Sequence, residues 1–559
     1  MDAEPIRDPR GDESAGGAES SSAPSRRTEC ALLVAIVAAG AALRFSGAAF
    51  GLPRKELFDE PNVFRAAVAI ARGGGLDPHF YEYGTVFLYA LAAVFAPIAR
   101  LAGWTLELAD GSGTMGPRTE LLWWLGRSLS ALAGSLTIVL CSFAARRMWG
   151  RAAGLGAAAL VAFSLLHVHQ SQILKPDATA AAFVALCLWA ACRGLAGDGD
   201  GWFAASGLAA GLAAATKYNA GIAIALPVFC EIARRRRAPA PRIRTLATVA
   251  ISALASFLVA MIWTLPRWQP IVASVARQMA HYTDPAMAPA PCRQTGRFFL
   301  AYLWRSGLGP APSALVLVGA AALAVREPRR ALAVFPFALL YFALLARTTI
   351  RPVQNLLALL PVAALAAGYA THLFAGWLAT RPWPSRARAA LAVAAFVAVF
   401  AWPIARIVVF DRVQRAPSTR RAATGWIASR TSPDTPLCIE PFGLPPSGYA
   451  DPRVTTLPPG WWRDPARFLR PGCMVVTNSF FASSFTCGDV RGGDEGRSIE
   501  GEIARWPLLA EFRGPASRSL ASSLVRELNA HAPMIEIRRY PGWVADGAGE
   551  PQLAAGDGR

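Results

Sequence analysis

Residues 122–151 read LWWLGRSLSALAGSLTIVLCSFAARRMWGR, and this stretch decides the fold class. Its first part, residues 122–145, carries a single charge, on Arg127, and is long enough for a helix to cross the roughly 30 Å hydrocarbon core of a bilayer. Arg146, Arg147 and Arg151 follow at once. Since short cytoplasmic loops accumulate Lys and Arg, the stretch predicts a membrane-spanning helix that ends on the cytoplasmic side.

The whole chain has the same apolar character. It is 54% hydrophobic with a mean hydropathy of +0.33, which is too apolar for an ordinary soluble enzyme of 559 residues and indicates a polytopic α-helical membrane protein. The length rule predicts about 11 transmembrane helices. They cover residues 31–50, 122–145, 152–169, 176–194, 202–216, 219–233, 245–265, 298–324, 331–346, 353–373 and 389–410.

Arginine clusters assign the two sides of the membrane. They lie at alternate gaps between the predicted spans, at Arg146–Arg151, Arg234–Arg237, Arg326–Arg330 and Arg381–Arg388. All four are cytoplasmic if the N-terminus is cytoplasmic and the tail after Phe410 is outside. The content of Ala, Arg, Gly and Pro is typical of a GC-rich bacterium, so we expect a multi-pass protein of the bacterial inner membrane with a periplasmic tail.

This topology divides the chain into three parts. Residues 1–29 are predicted to be a disordered cytoplasmic N-terminus, because they are rich in Ser, Gly, Asp and Glu. Residues 30–410 form the transmembrane domain, with a large first outer loop at 51–121. The apolar stretch Gly84–Trp104 within this loop is predicted not to cross, since a crossing would move the later clusters to the wrong side; a true span with different pairing elsewhere is the alternative.

The tail, residues 411–559, is predicted to be a small α/β domain outside the membrane. Short apolar runs at Pro436–Ile439 and Cys473–Thr477 are typical of strands, and Ala422–Ser429 and Ser519–Ala530 of helices. The nine cysteines of the chain show no metal-ligand spacing. Four of them fall on the outer side and could form a disulfide whose pairing stays open: Cys292, Cys438, Cys473 and Cys487.

The net charge of +19 does not indicate nucleic-acid binding, because the arginines mark topology and contact anionic lipids, and no basic patch interleaved with aromatic residues is present. Lysine is rare: of 56 Lys and Arg residues only Lys55, Lys175 and Lys217 are lysines, and all three are predicted on the outer side. Charged groups near a membrane interior are costly, so those present call for a reason. The outer-face set is Asp59, Glu60, Glu82, Lys175, Asp177, Lys217, His281, Arg347 and Arg351.

Each of these residues also has a plain structural interpretation. Asp59 precedes Pro61 and could simply cap a helix. The two lysines could extend along the bilayer surface, and the arginines could anchor helix ends. Glu82 could be a solvated loop acid and His281 an ordinary loop histidine. Their placement on one face is what favours a functional site.

The order of several short motifs resembles a known family. Phe58–Asn62 (FDEPN) follows the first span, Gly126–Ser130 (GRSLS) opens the next one, and Ser171–Asp177 (SQILKPD) and Thr216–Asn219 (TKYN) follow later. This order is similar to that of the GT-C glycosyltransferases, in the branch of protein O-mannosyltransferases and lipid A aminoarabinose transferases (glycosyltransferase family 39 type). The resemblance covers residues 30–410. It departs at Tyr83–Phe87 and at Ile350–Gln354, which affects the expected acceptor pocket and one donor contact.

The resemblance implies a fold, a reaction and a set of site residues. It implies a GT-C fold and transfer of a sugar from a polyprenyl-phosphate donor to a lipid, protein or glycan hydroxyl on the outer face, usually with inversion. Asp59, with Glu60, matches the catalytic acid pair, with Asp59 as general base. Lys175, Lys217, Arg347 and Arg351 would hold the donor phosphate, and Asp177 is a further site acid. Glu82 and His281 are candidate ligands of a divalent metal (Zn²⁺, Mg²⁺ or Mn²⁺), completed by a phosphate oxygen and water.

Two functions of other classes compete with the transferase. A lipid-linked sugar flippase would also need cations and an apolar groove, but it predicts internal repeats and a site at mid-membrane. The sequence shows no repeat, and its charged residues lie at one face. A sensor or assembly factor, in which the tail binds a partner, would not need Asp59.

Overall fold

The computed structural model describes residues 26–54, 57, 59–106, 115–234, 240–283, 295–416, 418–441, 443–445, 448–449, 451–458, 461, 464–469, 473–478, 506–512 and 535–540. Helices account for most of the described residues up to position 430. They are α1 Arg26–Ser46, α2 Glu60–Ala71, α3 Val86–Leu101, α4 Pro117–Trp149, α5 Arg151–Ala162, α6 Leu165–Ser171, α7 Asp177–Leu195, α8 Gly201–Thr216, α9 Ala225–Ala233, α10 Ala240–Met261, α11 Trp268–Thr283, α12 Thr295–Tyr302, α13 Pro310–Arg326, α14 Pro328–Ala346, α15 Leu360–Ala379, α16 Ser385–Gln414 and α17 Thr419–Arg430.

The predicted polytopic α-helical class is confirmed. In the described part of the chain, seven helical stretches are long and apolar enough to cross a membrane, and the bent pair α5–α6 would be an eighth. The other predicted spans fall on shorter apolar helices, including α8, α13 and Tyr218–Ala233. Each predicted span therefore coincides with at least one apolar helix, while the count of eleven transmembrane helices is not established.

The break between α5 and α6 has an identifiable partner. The two helices meet at 61°, which frees the carbonyl groups of Val161 and Ala162 from helix hydrogen bonding. Arg44 of α1 is fully buried, and its Nη2 and Nη1 donate to the Val161 O and Ala162 O at 2.9 and 3.3 Å. Its Nη2 also donates to His167 Nδ1 at 3.0 Å. A buried arginine thus satisfies the polar backbone that the break exposes.

Close helix packing depends on small residues. Gly207 and Gly211 lie one turn apart on α8, against α10. A Cβ atom on Gly211 would lie 2.1 Å from the Ala253 O, and one on Gly207 would lie 2.5 Å from the Val249 O. Only glycine permits this approach of two backbones, which is the usual way in which membrane helices associate.

The described part of the predicted first outer loop contains two short helices, α2 and α3, and packs on the N-terminal end of α4. Phe64 of α2 and Phe95 of α3 pack on each other and Phe64 stacks on Trp123, with ring centroids 5.5 and 4.6 Å apart. At 16 residues, α3 is about 24 Å long, shorter than the roughly 30 Å core. The prediction that Gly84–Trp104 does not cross is compatible with this length and stays a prediction.

The tail contains a five-stranded mixed sheet. The strands are β1 Leu437–Ile439, β2 Val454–Thr456, β3 Met474–Asn478, β4 Leu508–Phe512 and β5 Ile535–Arg539, with a short helix α18 at Pro465–Phe468. Their order is β2-β1-β3-β5-β4; β1 is parallel to β2 and β3, whereas β5 is antiparallel to β3 and β4. The predicted strands at Pro436–Ile439 and Cys473–Thr477 and the helix at Ala422–Ser429 are found.

A disulfide joins the two neighbouring parallel strands, between Cys438 and Cys473. This fixes the pairing that the sequence left open for these two residues. Cys292, Cys487 and the predicted helix Ser519–Ala530 lie outside the described residues, as do Lys55 and residues 1–25.

Candidate active site

The start of α2 is fixed by a buried ion pair. Arg127 of α4 donates from Nε to Glu60 Oε1 at 2.8 Å and from Nη2 to Oε2 at 2.7 Å, and both side chains are fully buried. The Leu174 N–H donates to Oε1 at 2.8 Å and Trp123 Nε1 to Oε2 at 3.4 Å. Four donors enclose this carboxylate, so Glu60 connects α2, α4 and the segment before α7.

Asp59 is the neighbour of Glu60, but its environment is different. It occupies the N-cap position of α2 without making a side-chain cap hydrogen bond, so capping is not the role of its carboxylate. Instead, Lys175 Nζ donates to Asp59 Oδ2 at 2.7 Å. The Asp59 side chain is 61% exposed, whereas that of Lys175 is 7% exposed. The Lys175 charge holds the pKa of Asp59 below its usual range, which favours the ionised form of this carboxylate.

A second acid–lysine pair lies beside the first. Lys217 Nζ, between α8 and the next helical segment, donates to Asp177 Oδ1 at 2.5 Å and to Asn355 Oδ1 at 2.5 Å. Asp177 is buried, and Lys217 is 15% exposed. Gln354 and Tyr341 help these residues to line a small cavity. Lys175 is buried, Lys217 is mostly buried and both are ion-paired, which differs from a lysine that merely extends to the bilayer surface.

The loop between α2 and α3 packs closely on the end of α8. A Cβ atom on Gly84 would lie 1.9 Å from the Ala215 O, at the end of α8. One residue earlier, the Tyr83 O accepts a hydrogen bond from Tyr218 OH at 3.1 Å. The loop that carries Glu82 therefore rests directly on the backbone beside Lys217.

Glu82 stands at the rim of the site. It lies in the electrostatic neighbourhood of Asp59, Arg277 and His281, and its pKa is raised, first by burial and then by the Asp59 charge. His281 is on the last turn of α11, and that turn is held because Thr349 N and Oγ1 donate to the Tyr282 O at 2.7 and 2.9 Å.

The two late arginines differ from each other. Arg351 is buried, with its guanidinium 4.7 Å from the ring centroid of Phe298. Arg347 is the exposed C-cap residue of α14. Both fall in the segment that also holds Thr349, next to the end of α11, as the sequence predicts for one outer face.

Three participants were not identified from the sequence as site residues. Arg127 was noted only as part of a motif, yet it neutralises Glu60. Asn355 completes the Lys217 contacts, and Tyr83 supplies a backbone acceptor. A polar residue beside Gln354, at the start of an apolar run, was the one available signal for Asn355.

A family comparison covers the part of the chain that holds both lysines. Residues 122–263 match the family described as dolichyl-phosphate-mannose-protein mannosyltransferase. The chain resembles the GT-C glycosyltransferases. The resemblance drawn from the short motifs is thus confirmed, and it supports a membrane glycosyltransferase. No curated protein matches the chain.

Several solved structures align with the chain at TM-scores below 0.5. One is ArnT from Cupriavidus metallidurans bound to undecaprenyl phosphate, 17% identical, covering 93% of this chain and 99% of that one at a TM-score of 0.44. Another is the oligosaccharyltransferase AglB from Archaeoglobus fulgidus with an inhibitory peptide and a dolichol-phosphate, 13% identical, covering 82% and 71% at 0.47. A third is the protein O-mannosyltransferase complex of S. cerevisiae bound to the sugar donor, 18% identical, covering 45% and 35% at 0.35.

Few of the candidate site residues could bind a metal ion. Within the described ranges, no group of three or more His, Cys, Asp or Glu side chains is arranged to hold a metal ion. Glu82 and His281 supply two ligands, which is fewer than a protein metal site normally uses. These residues alone do not fit a resident metal, and we derive no reaction step through one.

Proposed function

We propose that this protein is a membrane glycosyltransferase that moves a sugar from a polyprenyl-phosphate donor to an acceptor hydroxyl on the outer face, with inversion. One observation carries the proposal: an exposed carboxylate, Asp59, is bonded to a buried lysine, Lys175, beside the second pair Asp177–Lys217. The family match over residues 122–263 supports the same reaction class. The sugar and the acceptor are not specified by these residues.

Each of the two acid–lysine pairs is electrically neutral. Each lysine is neutralised by one aspartate, so the four side chains present no surplus charge to an incoming phosphate. A donor phosphate must therefore compete with a carboxylate for a lysine. Arg351 and Arg347, from the loop after α14, would add positive charge from the other side of the phosphate.

This competition gives a mechanism for activating the base. While Lys175 is bonded to Asp59, it keeps the pKa of the aspartate low, so the carboxylate is a weak base. When Lys175 turns to the donor phosphate, Asp59 loses its nearest positive charge and becomes a stronger base. It then takes the proton of the acceptor hydroxyl while that oxygen bonds to the anomeric carbon and the bond to the phosphate oxygen breaks. The polyprenyl phosphate leaves with the electron pair, stabilised by the cations.

The remaining site residues have supporting roles in this proposal. Glu60, which the sequence grouped with Asp59 as catalytic, is enclosed by Arg127, Trp123 and the Leu174 amide, and we assign it a positioning role. Glu82 and His281 would join a metal only together with a phosphate oxygen and water. In that case chelation would weaken donor binding without unfolding the protein.

The disulfide supports the proposed orientation. Disulfides form and persist in oxidising compartments such as the bacterial periplasm, and they are rare in the cytosol. The Cys438–Cys473 bond is therefore what we expect of a periplasmic tail. The positions of the Arg clusters independently favour the same side for the tail.

The test uses purified protein in lipid with an extract of polyprenyl-phosphate sugars. Mass spectrometry would follow release of free polyprenyl phosphate. We expect Asp59→Asn to lower turnover by roughly 10²–10⁴-fold, because it removes a general base. Asp451→Asn, which changes a tail acid bonded to Arg453, is the matched control and should keep full turnover.

Two results would contradict the proposal. Full turnover by Asp59→Asn would remove Asp59 as the base while leaving a transferase. Tight binding of lipid-linked sugar without release of polyprenyl phosphate from any donor would favour the flippase instead.

A further inference from the structure

A cleft lies at the opposite end of the helices that carry the candidate active site. Asp177 begins α7 and Arg193 lies near its end, about 24 Å away along the helix axis. There the ends of α4 and α7 form a cleft of about 310 Å³, lined by Phe143, Arg146, Arg147, Trp189 and Arg193. Nothing in the proposed transfer reaction uses these residues.

The cleft is positively charged. Arg147 and Arg193 share one carboxylate, Asp198, with Arg193 Nε 2.8 Å from Oδ2. Arg146 shares Glu29 with Arg151, at 3.1 and 3.4 Å. Among the described residues, the three arginines that line the cleft are thus ion-paired with two carboxylates between them, Asp198 and Glu29. The surplus of positive charge favours an anionic ligand.

Aromatic rings hold one arginine in place. The guanidinium of Arg193 lies 3.9 Å from the Trp202 ring centroid and 5.8 Å from that of Trp189. The two indole rings are 5.2 Å apart in an edge-to-face contact. Trp at this level is typical of the membrane interface, where its apolar and polar parts are both satisfied.

An apolar stripe leads away from the cleft along α4. Leu132, Leu136 and Phe143 are 58%, 50% and 39% exposed, although they are large and apolar. Their spacing of four and seven residues places them on one face of the helix. An acyl chain lying on this stripe would bring its headgroup to the arginines at the helix end.

We propose that this cleft binds an anionic phospholipid, with its phosphate on Arg147 and Arg193 and one acyl chain on the Leu132–Phe143 stripe. A phosphate accepts paired hydrogen bonds from a guanidinium, and basic pockets between helix ends bind anionic headgroups on the cytoplasmic side. The stripe selects a lipid over free phosphate. A lipid bound here would hold α4 and α7, which carry Arg127 and Asp177 at their other ends, in a fixed relation.

The experiment measures lipid retention and thermal stability of the full chain. Protein in nanodiscs of phosphatidylethanolamine with phosphatidylglycerol would be released for native mass spectrometry, and bound phosphatidylglycerol counted. We expect Arg147→Gln with Arg193→Gln to weaken retention by roughly tenfold or more. Arg326→Gln with Arg329→Gln removes the same charge from exposed arginines on the same predicted side and should weaken retention much less.

A second variant guards against a folding defect in the first. Phe143→Glu places a negative charge at the edge of the cleft and leaves the Asp198 bonds intact, so it should also reduce retention. Addition of phosphatidylglycerol should raise the melting temperature of the wild type, while phosphatidylcholine and inorganic phosphate should not. Equal retention in all variants would overturn the proposal. Stabilisation through this cleft by polyprenyl phosphate but not by phosphatidylglycerol would also overturn it.

Discussion

At the scale of single residues, the Asp59–Lys175 pair combines two properties that rarely occur together. The lysine is almost completely buried and the aspartate is mostly exposed. The buried lysine needs a negative partner, because burying an unpaired charge is costly in free energy. Exposure lets an acceptor reach the aspartate. In the proposed mechanism, the same bond therefore stabilises the free protein and restrains the candidate base Asp59.

This pair predicts a pH dependence. Because Lys175 lowers the pKa of Asp59, the free protein keeps its base ionised down to acidic pH, and kcat/KM should fall only as the pH drops through that lowered value. Lys175→Gln removes the main cause of the lowering, so the acid limb of kcat/KM should move to higher pH. A pH–rate profile of polyprenyl phosphate release measures this.

Lys217→Gln is the matched control for the pH prediction. Lys217 acts on Asp59 less than Lys175 does, since it is bonded to Asp177 and Asn355. Its removal should lower activity but move the acid limb less. Equal shifts in the two variants would show that the direct bond between Lys175 and Asp59 does not set the pH of the acid limb.

At the scale of elements, α2 depends on the Glu60–Arg127 pair. Removing one partner of a buried ion pair leaves the other charge uncompensated, at a cost of about 3–5 kcal/mol. Glu60→Gln should therefore lower the free energy of unfolding by about that amount and also lower turnover, because Asp59 is the next residue. Thermal denaturation in detergent checks the first effect.

Glu120→Gln is the control for this prediction. Glu120 lies in the first turn of α4, half-buried and at the same end of the helix. Its substitution should change the melting temperature little. A Glu60→Gln protein as stable as Glu120→Gln would contradict the positioning role.

The close contact between the predicted first outer loop and α8 leads to another prediction. Gly84→Ala would place a methyl group on the Ala215 O, so the loop must move away. We expect a loss of stability of about 1–3 kcal/mol, typical of overpacking, and a larger loss of turnover, because Tyr83 and Glu82 move with Gly84. Circular dichroism melts and donor turnover would be measured together.

Gly116→Ala is the control at the other end of the same loop. A Cβ atom there meets nothing within 4 Å, and the backbone φ of −68° suits any residue. Normal turnover in Gly84→Ala would mean that the loop is not part of the site.

Sequence patterns could predict the apolar elements, and they could not predict the contacts between them. The length rule found the helices because a bilayer sets one minimum length for all spans. It overlooked the break between α5 and α6, because the carbonyl groups at that break are satisfied by Arg44 of α1, which is distant in sequence. In the same way, Lys175 and Lys217 stood out as rare lysines, whereas Asn355 became visible only once the fold brought it to Lys217.

At the scale of the whole molecule, the tail is attached to the turn beside the candidate active site. Arg415 Nη2 donates to the Ser46 O at 2.7 Å, and Arg421 Nη2 donates to the Gly51 O at 2.9 Å. From the other side, Arg127 Nη1 donates to the Phe50 O at 2.6 Å. One short turn thus connects the tail to the arginine that holds Glu60.

The disulfide predicts how the tail responds to reduction. It closes a loop of 35 residues, for which the chain-entropy model gives a stabilisation of about 4 kcal/mol. Cys438→Ala with Cys473→Ala should therefore make the tail sensitive to proteolysis under conditions in which the wild type resists. Limited proteolysis with and without dithiothreitol measures this.

The same experiment has an internal control. Dithiothreitol should make the wild type resemble the double variant and should not change the double variant further. Protein taken from cells without reductant should carry the bond if the tail is periplasmic. A fully reduced pair in such protein would contradict the proposed orientation.

Lys175 and Lys217 are two of only three lysines in the whole chain. Apart from Lys55 and the N-terminus, they hold its only primary amines, while arginine supplies the charge elsewhere. Acylating and Schiff-base-forming reagents spare guanidinium groups, so the only amines they could modify are those of Lys175, Lys217, Lys55 and the N-terminus. Since the amines of Lys175 and Lys217 are engaged with carboxylates, the speed of labelling would report whether a bound substrate has covered or released them, and the chain thus contains its own occupancy probe.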